Sequence, residues 1–174
     1  MKEKLGVYLF LFLLLTWGFL LVKSVQADET DTVTATVTAE IFSVSLDNAD
    51  GIAFLTIGVG SSANSTSGGV NDSTTATNIG SVPAKINVKA GNSTNWTLDT
   101  SPASETYAME FCVTNCDVSP SWATVGVNPA YATLVASVGV GSTQIFDLQV
   151  KAPTGTTATG EQTITVTVQA VTPS

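Results

Sequence analysis

From Asp31 to Leu46 the chain reads DTVTATVTAEIFSVSL, small apolar residues alternating with threonine almost without a break. A period of two is the mark of a strand with one covered face and one wet face. Val33, Ala35, Val37, Ala39 and Ile41 share one face of this ribbon, whereas Phe42, Val44 and Leu46 fall on the other parity. A slip of one residue turns every later side chain to the opposite face. The pattern therefore predicts a bulge between Ile41 and Phe42, or a strand that leaves one sheet there and joins a second.

The same period recurs along the rest of the chain. DNAD followed by Gly51 marks a turn, and residues 52–57 read as a short buried strand. GSSANSTSGGVNDS is a Ser/Gly/Asn stretch expected to form a mobile surface excursion, too polar to bury. Further strands are expected over 74–78, 85–90, 96–99, 107–113, 123–127, 131–138, 143–151 and 162–171. In the last of these Ile164, Val166, Val168 and Ala170 alternate inward against Thr163, Thr165, Thr167 and Gln169. No helical stripe is found beyond the N-terminal segment, and no internal repeat. Nine or ten short strands separated by turn signals predict an all-β fold, a two-sheet immunoglobulin-like sandwich.

The N-terminus changes the compartment. Lys2 and Lys4 precede an apolar run from Leu5 to Leu21, and Val25, Gln26 and Ala27 give a small-x-small exit. This is the layout of a secretory signal peptide, residues 1–27, cut between Ala27 and Asp28. If it were kept, it would be the chain's one membrane contact. The expected mature domain, residues 28–174, then carries thirteen acids against Lys85, Lys89 and Lys151, a formal charge of −10. Such a field repels nucleic acid and anionic lipid, so neither is expected as a partner.

Arginine and histidine are absent from all 174 positions. That closes off imidazole-based triads, imidazole metal sites and bidentate guanidinium clamps. For an enzyme there remains a carboxylate pair for glycoside cleavage, drawn from Glu40, Glu105, Glu110, Glu161 and the aspartates, but no spacing singles one out. No catalytic role and no cofactor are expected. Cys112 and Cys116, the two cysteines of an exported chain, are expected to form a disulfide closing a tight turn. Asp47, Asn48 and Asp50 lack the register of a calcium loop and read as turn-stabilising side chains. Asn64, Asn71, Asn92 and Asn95 each head an N-x-S/T triplet and are candidate glycosylation acceptors. Of the aromatics Trp96, Tyr107, Trp122 and Tyr131, Trp122 is the candidate for an exposed glycan contact, whereas Tyr107, Met109 and Phe111 share one strand face and read as core.

Two passages, TATNIGSVPAKINVKAGNSTNWTLDTS and VGVGSTQIFDLQVKAPTGTTATGEQTITVTVQA, resemble the immunoglobulin-like β-sandwiches of bacterial and archaeal secreted surface proteins. The shared features are an N-x-G-x-V/A turn, an outward Lys/Asn strand and a G-x-x-x-x-F-x-L-x-V-x-A-P strand. NWTL is similar to the W-x-L motif of Gram-positive wall-binding domains, although no second copy stands near the TVTVQAVTPS end. A looser similarity is to biofilm-matrix and archaeal bundling-pilus subunits, in which the N-terminal strand completes a neighbouring subunit; the ribbon here is expected either to pair within its own domain or to donate itself to the next one. The expectation is a secreted or cell-surface structural or adhesive protein whose partners are other copies of itself or cell-surface components. The alternative is a carbohydrate-binding module.

Overall fold

The structure, a computed structural model, describes residues 34–48 and 50–173. The apolar N-terminal segment and the cleavage position at Ala27 and Asp28 lie outside the described residues. The chain divides into two units, Met1–Thr38 and Ala39–Ser174. Of the first, residues 34–38 are described; they are exposed and form no strand.

The second unit is all-β among the described residues, as expected, with eleven strands: β1 Val44–Leu46, β2 Ser62–Asn64, β3 Thr74–Asn78, β4 Ala84–Ala90, β5 Thr97–Asp99, β6 Thr106–Cys112, β7 Ala123–Thr124, β8 Gly126–Val127, β9 Ala132–Val138, β10 Thr143–Lys151 and β11 Val166–Val171. One sheet runs β1-β3-β10-β6-β5, with β2 also on β10 and β7 on β6. The second runs β11-β4-β8, with β9 also on β4. β10 is long enough to serve two partners in succession: Thr143 to Phe146 pair with β3, and Gln149 to Lys151 with β2.

Alternation fixes which face each strand covers. Thr74, Ala76 and Asn78 of β3 and Ala84, Ile86, Val88 and Ala90 of β4 are buried while their neighbours are half-exposed. The two inner faces meet in a core of Ile86, Val88, Tyr107, Met109, Phe146 and Leu148, among others. The face shared by Tyr107, Met109 and Phe111 is core, as its spacing predicts. At roughly 1.5–3 kcal/mol for each large apolar side chain, this interface dominates the stability of the fold.

Six sequence expectations are corrected. Of the ribbon, the described residues 34–46 form a strand only from Val44 to Leu46. The parity slip at Ile41 and Phe42 marks the approach to the sheet, where Ser81 N–H donates to Ile41 C=O (2.9 Å) and Ile79 N–H to Ser43 C=O (3.1 Å), not a bulge or a change of sheet. The change of sheet falls at Val125 instead. Residues 123–127 split into β7 on β6 and β8 on β4, and the buried Val125 links them. Residues 52–57 form no strand, and the ladder of β11 begins at Val166, not at Gln162. Finally, the excursion thought too polar to bury is anchored: it contains β2, and Ser65 and Thr66 are buried. There Ser65 and Ser73 hydroxyls both donate to the buried Asp147 carboxylate (2.8 and 2.7 Å), so the burial is matched by hydrogen bonds.

Candidate functional site

One side of the sandwich carries two surface clefts. β11 is an edge strand, paired to β4 alone, and the residues leading to it carry the edge further. Opposite lies the segment 52–59. Among the described residues neither 52–57 nor 158–164 shares a backbone–backbone hydrogen bond, and neither belongs to a ladder; Gly58 C=O accepts from Ser61 N–H (2.9 Å). Two adjoining clefts of about 690 and 530 Å³ lie between these rims and share Ile52, Phe54, Gln162 and Ile164 in their walls. Their floor is inner-sheet core: Val150 and Trp96 in one, Met109, Phe146 and Leu148 in the other. Both clefts open to solvent, and of their floor residues Val150, Met109, Phe146 and Leu148 are buried, so they are surface features above a covered core.

The segment between the clefts fits them poorly. Ile52, Phe54 and Ile57 are half-buried against the core, while Leu55 is 83% exposed. Leu55 has φ of 59°, a left-handed conformation that costs a leucine about 1–2 kcal/mol. Gly51 and Gly60, also left-handed at 87° and 72°, stand at its two ends. Glycine at those turns and alternation between them read as a strand in the sequence, which is why the groove escaped it.

At the far rim a chain of polar contacts fixes the loop before β11. Trp96 indole N–H donates to Thr156 Oγ1 (2.9 Å), whose hydroxyl donates to Glu105 (2.7 Å). Thr157 donates to the same carboxylate from both its amide and its hydroxyl. These donors, the Thr156 hydroxyl foremost, hold the Glu105 carboxyl below its usual range.

The ribbon itself is exposed at every residue from Thr34 to Ile41, with Val37 96% accessible. Residues 34–40 share no backbone hydrogen bond with another described residue. Its covered end is held by Ser81, whose hydroxyl accepts from Ile41 N–H (2.9 Å).

The other sequence-predicted residues are dispersed. Cys112 and Cys116 are disulfide-bonded across the turn after β6, with Cα atoms 5.8 Å apart. Such a bond is compatible with an extracellular location. Asn71 and Asn95 are exposed. Asn64 is half-buried, its side-chain oxygen accepting from Thr66 of its own triplet (2.7 Å), and Asn92 accepts from Leu98 N–H (2.9 Å). Trp122 is half-buried, and Trp96 packs on Tyr107 with ring centroids 6.3 Å apart. The Lys89 ammonium covers the ring of Tyr131 at 4.7 Å. Asp47 accepts from Thr75 N–H and Asn48 donates to Asp72, both at 2.7 Å, so the turn's side chains brace β1 against the β3 region. Among the carboxylates proposed for glycoside cleavage, Glu110 is ion-paired with Lys151 (2.8 Å), Glu105 is held as above, and Glu40 and Glu161 are exposed. Comparison with protein-family models, with curated proteins and with solved structures returned no match.

Proposed function

We propose that this protein is an exported, non-catalytic structural component of the cell exterior, a fibre subunit that assembles by β-strand pairing between copies. The observation that carries the reading is the ribbon 34–41: eight residues of alternating apolar and polar side chains, exposed throughout, with no backbone hydrogen bond from 34 to 40 among the described residues. Such a segment is a template for pairing with another chain, and native folds normally blunt it with charge, proline or a covering element. Here only Glu40 interrupts it. A signal-peptide-like N-terminus and a disulfide in a two-cysteine chain support an extracellular setting. Adhesive contact with cell-surface components belongs to the same reading.

Electron microscopy of the purified protein beginning at Asp28 tests it, against a chain beginning at Phe42. Filaments from the first and none from the second are expected. Equal assembly by both would remove the ribbon from the mechanism.

A further inference from the structure

We infer that the outer face of the second sheet binds a carboxylated polysaccharide. The inference rests on the adhesive part of the reading above and not on filament formation, and it supplies that part with a surface and a ligand class.

Charge is unevenly placed on the sandwich. β4, β8, β9 and β11 contain no aspartate or glutamate, whereas β5, β6 and β10 of the first sheet carry Asp99, Glu110 and Asp147. Lys151, on the first sheet, is ion-paired with Glu110. The two other lysines of residues 28–174, Lys85 and Lys89, both lie on β4, and neither has a carboxylate partner among the described residues. Ile86 and Val88 are buried in the core, so Lys85, Asn87 and Lys89 share the outward face. The acids of the first sheet stand across a core about 10 Å thick, beyond the screening length of about 8 Å at 0.15 M salt. They oppose an anion at this face only weakly. The acid nearest to these strands in sequence is Glu161, in the loop before β11.

The neighbours of the lysines are hydroxyls and amides. Gln169 of β11 and Thr133 of β9 flank Asn87 on its two sides, and Thr167 lies beside Lys89. The Asn87 side-chain oxygen is covered and has no hydrogen-bond partner among the described residues, a deficit that a turned amide would make good against a ligand hydroxyl. The Lys89 ammonium donates to Asn128 Oδ1 (2.8 Å) and sits 4.7 Å from the centre of the Tyr131 ring. Both partners are uncharged, so the ammonium is held in place with its charge intact and with donors to spare. Four residues of strand separate the lysines by about 14 Å, and three strands span roughly 10 Å. Two positive charges set around a row of amides and hydroxyls match sugar rings that bear carboxylates: charge meets lysine, hydroxyl meets amide. Duplex DNA carries a charge about every 1.7 Å, far denser than two such lysines can neutralise.

Calorimetric titration of the purified chain beginning at Asp28 with polygalacturonate, at about 0.05 M salt, tests the inference. Binding is expected, with dextran inert and duplex DNA a poor competitor. Lys85→Gln with Lys89→Gln is expected to weaken binding at least tenfold. That pair takes the formal charge of residues 28–174 from −10 to −12, and so does Thr97→Glu with Thr143→Glu on exposed positions of the first sheet, which is expected to weaken binding less than twofold. Should the lysine pair lower the melting temperature, Lys85→Gln alone replaces it, with a loss of at least threefold expected. No binding, equal loss from the two charge-matched pairs, equal binding of dextran, or full competition by DNA would each overturn the inference. So would loss of binding confined to Trp122→Ala, which lies before β7. Filament formation by the lysine variants is expected to be unchanged, so failure of the titration with filaments intact removes the ligand and leaves the fibre reading standing.

Discussion

Asn78 is completely buried, and its whole side-chain amide is engaged by backbone. Its Nδ2 donates to Val82 C=O and Val138 C=O, and its oxygen accepts from Gly80 N–H, all at 2.9 Å. Those bonds join the β3–β4 turn to the end of β9, and they explain the N-x-G-x-V stretch in Asn78, Gly80 and Val82. Gly80 is required because a Cβ there would collide with the Ile41 carbonyl, the anchor point of the ribbon. Asn78→Ala strands one buried and two half-buried backbone groups and is expected to cost about 3 kcal/mol in chemical denaturation, at the upper end of what one orphaned polar group costs. Val37, by contrast, touches nothing that a single copy needs. Val37→Asp is expected to leave the melting temperature unchanged and to abolish assembly; a folded-state loss above about 0.5 kcal/mol would show that the residue has an intramolecular role. At this scale the sequence was readable where side chains alternate over a single floor, as for Tyr107, Met109 and Phe111. It was silent on Asn78, because an asparagine in a turn and a buried asparagine bracing two turns have the same local pattern.

Elements joined by loops are held here by carboxylates. Asp47 accepts from Thr75 N–H beside β1, Glu105 ties the turn before β6 to Thr156 and Thr157, and Asp117 accepts from Ser67 N–H, linking the disulfide turn to the loop after β2. Hydrogen bonding to the charged form lowers all three, through Thr75 for Asp47, Thr156 for Glu105 and Ser67 for Asp117. A lowered carboxyl contributes stability that is complete above its ordinary value, 3.8 for aspartate or 4.5 for glutamate, and is lost as pH falls through the lower folded value. Amide exchange at Ser67, Thr75 and Thr157 is therefore expected to accelerate, beyond its intrinsic pH trend, only below about those values. Acceleration beginning near neutrality would contradict the clamps. The Cys112–Cys116 bond closes so short a loop that its removal by paired Cys→Ser substitution is expected to cost only about 2 kcal/mol in reversible unfolding.

Most strands were legible because period-two patterning survives wherever one face is covered: β3 and β10 match their expected limits, β4, β5 and β9 differ by a residue at one end, and β6 is shifted by one residue at both. The errors share a cause. Residues 52–57 and 162–165 carry strand pattern without strand partners, since a ladder depends on what lies alongside, which spacing cannot reveal. β2 was missed for the converse reason: its Ser-Ala-Asn is polar, yet β10 extends past β3 and needs a neighbour there.

At the scale of the whole molecule, charge bears on any association between copies. Residues 28–174 carry a formal charge of −10, so association between copies is opposed over a distance set by salt. Raising ionic strength from about 0.01 to 0.15 M shortens the screening length from roughly 30 to 8 Å, and the assembly rate read by light scattering is expected to rise accordingly. A rate that falls with salt would point to attraction between opposite charges in place of apolar strand pairing. The central claim is that residues 34–40 are unpaired in one copy and paired in the assembly. Hydrogen exchange at those amides, measured in the monomer and in the assembled material, addresses it most directly. Fast exchange in the monomer and strong protection after assembly is the predicted result; equal exchange in both states would contradict the account.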